Sequence, residues 1–116
     1  MNKFEILGRV NWIEIKYSEK GSCFTKILLA KKLPKKDEYE SFPITFFNTR
    51  NGETAERLAE TVKEGDYIRV TGKLGINRYI PKGQTRVKED VELIGWGFQK
   101  VKWDSEQNKY VDVVEE

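Results

Sequence analysis

From Gly65 to Gly97 apolar and polar residues alternate in two long runs on either side of Tyr79-Ile80-Pro81-Lys82-Gly83, which predicts two strands folded back on one another. In the first run Ile68, Val70, Leu74 and Ile76 share a face expected to be buried. Tyr67, Arg69, Thr71, Lys73, Asn77 and Tyr79 share the other. A face that is basic, polar and aromatic at once suits contact with something anionic and flat. It suits equally a lysine-studded sheet edge that resists aggregation, and on this strand alone both readings stand.

Upstream, Phe4, Ile6, Val10 and Trp12 fall on one face with Gly8 between them, and the pattern then slips by one residue to Ile13, Ile15 and Tyr17. Such a slip predicts a bulge or sharp bend, the device by which the first strand of a small barrel serves both halves of the sheet. Ser18 to Ser22, with Gly21, reads as a turn, and Phe24 to Ala30 as a short, nearly continuous apolar strand. The loop from Lys31 to Ser41 sets Lys31, Lys32, Lys35 and Lys36 against Asp37, Glu38 and Glu40, and Pro34 breaks it. Each lysine alone is an ordinary solvated loop residue; as a group they could follow a phosphate backbone.

Phe42 to Asn48 is the third strand. Phe42, Ile44 and Phe46 lie on one face and Thr45 and Phe47 on the other, so one phenylalanine is expected outside the core. Ala55, Leu58, Ala59 and Val62 recur at helical spacing, and Gly65 is expected to end that helix as a C-terminal cap. Its outer residues, Glu56, Arg57, Glu60 and Lys63, are too balanced in charge to grip a polyanion, so the helix is expected to plug one end of a barrel. At the far end, Lys100 to Trp103 and Tyr110 to Val113 flank Asp104 to Lys109 like a terminal hairpin.

A chain of 116 residues is one domain, large enough to bury a core without disulfides or a structural metal. Cys23 is the only cysteine and there is no histidine. A zinc site would therefore need carboxylates, and Cys-His or Ser-His nucleophile systems are excluded, so no enzyme chemistry, cofactor or metal is expected. Without a bilayer-length apolar run or a signal-peptide core, the chain reads as soluble and cytoplasmic, with no membrane partner. Its net charge of +2 hides an asymmetry: residues 104–116 hold five acids against Lys109, which is −4, so residues 1–103 carry +6. A basic body suits a nucleic-acid partner without demanding one.

Three strands, a helix and two strands is the order of a five-stranded OB barrel, an all-β fold with its helix between strands three and four. A more specific likeness lies in Ile6-Leu7-Gly8-Arg9-Val10, Lys16-Tyr17 followed by Gly21, Ile27-Leu28-Leu29-Ala30, Thr54-Ala55-Glu56, and the run from Gly65 through Gly72-Lys73-Leu74. In this order and spacing, across about residues 3–95, the chain resembles the single-stranded DNA-binding proteins of the bacterial and phage type. The domain would then span residues 1–103, with 104–116 an acidic segment.

The resemblance implies sequence-independent coating and protection of single-stranded DNA during replication, recombination or repair. It implies a homo-oligomer, dimer or tetramer, with replication or recombination proteins as partners. Family members stack a base on an aromatic shortly after the fourth strand's Gly-x-Leu, here Tyr79, and on aromatics at the start and end of the third strand, where Phe42 matches the start and Asn48 or Phe47 falls at the end. The family's aromatic in the loop after strand two is replaced by Leu33-Pro34, and Trp12 substitutes for it only if its side chain faces out. Arg69, Lys73, Arg78, Lys82, Arg86 and Lys88 would neutralise phosphates, joined by Lys31 and Lys32, with Tyr17 of the matched Lys16-Tyr17 pair also in the binding set. The terminal Val113-Val114-Glu115-Glu116 departs from the long tail and acidic, aromatic-ended tip of cellular members, which points to a phage protein acting in the host cytoplasm. The acid-rich segment is expected to stay outside the groove or to compete weakly with DNA. Two further readings stay open, an OB module for RNA and an OB module for protein assembly. If phosphate neutralisation drives binding, affinity for oligo-dT should be high, affinity for duplex low, and the logarithm of affinity should fall steeply across a salt series; a flat response excludes the electrostatic mechanism.

Overall fold

A computed structural model describes residues 2–35, 37–49 and 52–114. In chain order these form β1 (Phe4–Tyr17), β2 (Cys23–Lys32), β3 (Tyr39–Phe47), α1 (Thr54–Thr61), β4 (Tyr67–Tyr79), β5 (Lys88–Asp104) and β6 (Lys109–Asp112). The strands lie in the order β3-β2-β1-β4-β5-β6, and a parallel pairing of β3 with β5 closes the first five into a barrel. This is the expected OB architecture, with the helix between strands three and four and β6 as a C-terminal hairpin on β5. Among the described residues no helix is long and apolar enough to cross a membrane. Lys36 of the lysine loop and the terminal Glu115 and Glu116 lie outside the described residues.

The first strand belongs to both halves of the barrel. Phe4 to Arg9 pair with Gly72 to Tyr67 of β4, and Trp12 to Tyr17 pair with Leu28 to Cys23 of β2. The two registers overlap at Arg9, which also pairs with Ala30 of β2, and a bulge between Val10 and Trp12 interrupts the pairing with β2. Val10 is fully buried there, its N–H donating to the Asp66 carbonyl (2.8 Å) and its carbonyl accepting from Gly65 N–H (2.7 Å). The slip expected after Trp12 thus falls one residue before it. Trp12 leaves the apolar face of Ile6 and Val10 and points outward, while Ile13 and Ile15 take over the core side.

Inside the barrel Val10, Ile27, Leu29, Ile44, Phe46, Ile68 and Val70 pack with Leu58 of the helix, all essentially without solvent contact. Each such side chain contributes about 1.5 to 3 kcal/mol through removal of apolar surface from water. The short helix sits against this core by Ala55 and Leu58. Its ends are tied by the barrel rather than by its own sequence. Asn48 Oδ1, at the end of β3, accepts from the N–H groups of Ala55 (2.9 Å) and Glu56 (3.3 Å), where Glu53 offers no side-chain cap. Lys100 of β5 donates to the Thr61 carbonyl (3.1 Å), supplying at the C-terminal end the cation that the last turn lacks. The helix stops at Thr61, with Val62 already extended, so Gly65 is not its cap; with φ of 96° it forms the turn into β4.

A second expectation is corrected in β4. Its buried face ends at Gly72: Leu74 is 47% and Ile76 54% exposed although they continue the alternation of Ile68 and Val70. The pairing of β1 stops at Phe4 opposite Gly72, and that of β3 with β5 reaches only Leu93, so beyond these residues β4 and β5 continue as a two-stranded arm with no third strand. Asn2 marks the root of the arm, its side-chain amide both donating to the Leu74 carbonyl (2.7 Å) and accepting from Leu74 N–H (2.9 Å).

The closest approach in the barrel is at Gly72, where a Cβ would strike the Ile94 carbonyl and lie 2.7 Å from the Phe4 ring. Gly97 on β5 has nothing within 4 Å of that position. Gly72→Ala should therefore destabilise the protein by about 1 to 3 kcal/mol or more, as overpacking does. Gly97→Ala should be neutral or stabilise by up to about 1 kcal/mol, and urea denaturation of the two variants checks the contrast.

Candidate nucleic-acid interface

The outer face of β1, β2 and β3 carries its side chains in cross-strand rows. Lys16, Phe24 and Phe47 form one, Glu14, Lys26 and Thr45 the next, and Trp12, Leu28 and Pro43 the third. Trp12 is 42% exposed and Phe47 41%. Phe47 leans on Phe24 with ring centroids 6.2 Å apart, and the Lys26 ammonium lies 6.0 Å from the Phe24 ring. Where β3 and β5 diverge beyond their short pairing, a groove of about 530 Å³ opens. Trp12, Lys26, Leu28 and Pro43 line one wall, and Asn77, Asp90, Val91 and Glu92 of the arm line the other. Flat apolar rings and a proline at the foot of a projecting two-stranded arm make a surface on which bases can stack.

Residues 1–101 match the model of the single-strand binding protein family. The chain belongs to that family. Binding of single-stranded DNA is the general activity that membership supports. A search of curated proteins gave no match. The family match covers β1 to β4 and most of β5 and ends before Trp103 and β6.

Within this family member the residues singled out by sequence are spread over several places. Trp12 lines the groove, and Phe47 lies on the same outer face, one cross-strand row beyond Thr45. Phe42, by contrast, is partly buried against the core, so the phenylalanine left outside on β3 is Phe47. Lys73, Arg78, Tyr79, Lys82, Arg86 and Lys88 run along the arm and round its tip, where Gly83 makes the turn with φ of 82°. Tyr79 stands opposite Lys88 and is 40% exposed. Hydrogen bonding to the Asp90 carboxylate, with its charge, raises the Tyr79 hydroxyl above its ordinary pKa, and Asp90 itself lines the groove. Tyr17 is exposed at the end of β1, in register with Cys23.

The remaining three lie elsewhere. Lys31 and Lys32 line a separate cleft of about 450 Å³, together with Arg9, Tyr39, Tyr67 and Tyr110. Arg69 is turned to β6, where its guanidinium contacts both oxygens of Asp112 at 3.0 and 3.4 Å. The groove itself is not basic, since its lining sets Lys26 against Asp90 and Glu92; the positive charge is carried by the arm. Sequence reading missed Phe24, Lys26, Leu28 and Pro43. The signal for the first three is the inward set Thr25, Ile27 and Leu29, which leaves Phe24, Lys26 and Leu28 outside, hidden because the strand reads as nearly continuously apolar.

On the arm Arg78 bonds Glu89 at 2.8 Å, with both side chains more than half exposed. An exposed pair of this kind is weak, so Arg78 can exchange its carboxylate for a phosphate at little cost. A double-mutant cycle of Arg78→Ala and Glu89→Ala should give a coupling of no more than about 1 kcal/mol in folding stability.

Proposed function

We propose that the protein coats single-stranded DNA without sequence preference and protects it during replication, recombination or repair, with the strand lying between the outer face of β2 and β3 and the β4–β5 arm. What supports this most is the row of Trp12, Leu28 and Pro43 at the foot of an arm bearing Lys73, Arg78, Lys82, Arg86 and Lys88. Among the described residues, Lys73, Lys82, Arg86 and Lys88 have no carboxylate within ion-pair distance. Bases stack on Trp12, Phe47 and Tyr79 through their π-faces, which every base possesses, so the contact is indifferent to sequence. Phosphates displace water and counterions at the arm lysines and arginines, which supplies the larger, salt-dependent share of the affinity. Asp90 and Glu92, on the arm's groove-facing wall, repel phosphate from inside the groove and so favour a strand that turns its bases inward and its backbone out toward the arm's lysines and arginines. A homo-oligomer, partner proteins of replication or recombination, a phage origin and a place in the host cytoplasm complete this reading. Competition between ribo- and deoxyribo-oligomers separates it from an RNA module.

Tyr79 gives the sharpest test. Tyr79→Ala should lose about 1 to 3 kcal/mol of affinity for oligo-dT, the worth of one stacking platform, with the salt slope nearly unchanged because no phosphate contact is removed. Tyr79→Phe keeps the ring and loses only the hydroxyl, so its affinity should fall far less. Lys73→Ala should do the reverse, lowering the slope of log affinity against log salt by about 0.7 to 0.9. A folded Tyr79→Ala protein that binds as the parent does would remove Tyr79 from the site.

A further inference from the structure

The cleft around Lys31 and Lys32 is outside the groove, and its construction is that of a binding surface. Arg9 occupies its centre, in register with Ala30 of β2 on one side and Tyr67 of β4 on the other. Tyr67 is stacked on Tyr110 of β6 with ring centroids 5.5 Å apart and planes at 28°. Behind them Trp103 meets Tyr110 edge-on at 5.1 Å, so the two tyrosines form a platform braced from the far side. Tyr39, 59% exposed, faces the platform across the cleft.

The charges are arranged to match. Arg9, Lys31 and Lys32 have no ion-pair partner among the described residues. Two acids of the terminal hairpin are occupied within the fold: Asp112 by Arg69, and Asp104 by the N–H groups of Glu106 and Gln107 and the side chain of Gln107. Of the hairpin, the residue that lines the cleft is Tyr110, a ring and not a carboxylate. The cleft also adjoins the groove. Trp12 and Arg9 stand on either side of the β1 bulge, and on β2 the groove residue Leu28 is two positions from Ala30, about 7 Å.

We propose that this cleft is a second subsite for single-stranded DNA, which takes the strand as it leaves the groove over β1, stacking a base between Tyr39 and the Tyr67–Tyr110 platform with its phosphates on Arg9, Lys31 and Lys32. The inference rests on the function proposed above and adds to it a subsite completed by residues beyond the family match. A second copy of the chain suits the cleft less well, because a two-fold contact brings a patch of three unpaired cations against the same patch.

The experiment measures affinities of the full chain for oligo-dT of about 5 and about 25 nucleotides, lengths that fall near the lower limit of one OB site and well beyond its upper limit. Tyr39→Ala combined with Tyr110→Ala should weaken the long oligomer about tenfold or more and leave the short one within about twofold. Lys31→Ala with Lys32→Ala, which leaves the packing untouched, should lower the salt slope for the long oligomer by about 1.4. The lysine pair decides the matter if the tyrosine pair does not fold. Equal losses at both lengths, or none at either, overturn the proposal. So does unchanged DNA binding accompanied by lost self-association in sedimentation, which would make the face a contact between copies. If Trp12→Ala leaves the short oligomer unaffected while the tyrosine pair weakens the long one, the groove assignment falls and the second subsite stands.

Discussion

Closure of the barrel rests on three residues. Ile44, Thr45 and Phe46 of β3 pair in parallel with Leu93, Ile94 and Gly95 of β5, and the Phe46 ring lies directly on Gly95, where no larger residue would leave it room. Because this seam is so short, the strands it joins splay apart on leaving it. The divergence makes the groove on one side, and it releases the β4–β5 arm from any third strand on the other. A longer seam would zip the groove shut and absorb the arm into the barrel wall.

The same constraint separates stacking from charge. Residues near the seam are packed and mostly apolar, so the rings of Trp12, Phe24 and Phe47 are held by the sheet beneath them. Residues on the arm are solvated and can be strongly cationic without a desolvation cost. A polyanion with flat, apolar bases needs both environments within one nucleotide's reach. A rigid wall facing a projecting arm supplies them.

Much of this was legible in the chain. Alternation from Ile68 to Val70, the helical spacing of Ala55, Leu58 and Val62, and the shift of apolar residues from Val10 to Ile13 are local patterns, and each led to the right kind of element. What escaped reading depends on where neighbouring strands end. Leu74 and Ile76 carry a core pattern with no core beneath them, because β1 runs out at Phe4. Trp12 faces out because the bulge falls at Asn11, a displacement of a single residue that reverses every side chain's face. The helix is capped by Asn48, which belongs to the preceding strand's end rather than to the N-cap position, and by Lys100, which is distant in sequence from the end it meets. The cleft joins residues of five strands, Arg9, Lys31, Tyr39, Tyr67 and Tyr110, whose convergence no spacing encodes.

The bulge in β1 also bears on how the chain is made. Val10, though in register with Leu29 of β2, bonds through its own N–H and carbonyl to residues 66 and 65, which are synthesised more than fifty positions later. During translation the segment from Phe4 to Gly8 therefore leaves the ribosome with its partner strand still unwritten, while Arg9 to Tyr17 can already pair with β2. The nascent chain has a hairpin of the second half of β1 with β2 and, ahead of it, a free apolar edge awaiting β4. Such an edge is exposed to mispairing with other chains for as long as β4 takes to emerge, and it is the part of the molecule that a chaperone would have most reason to hold.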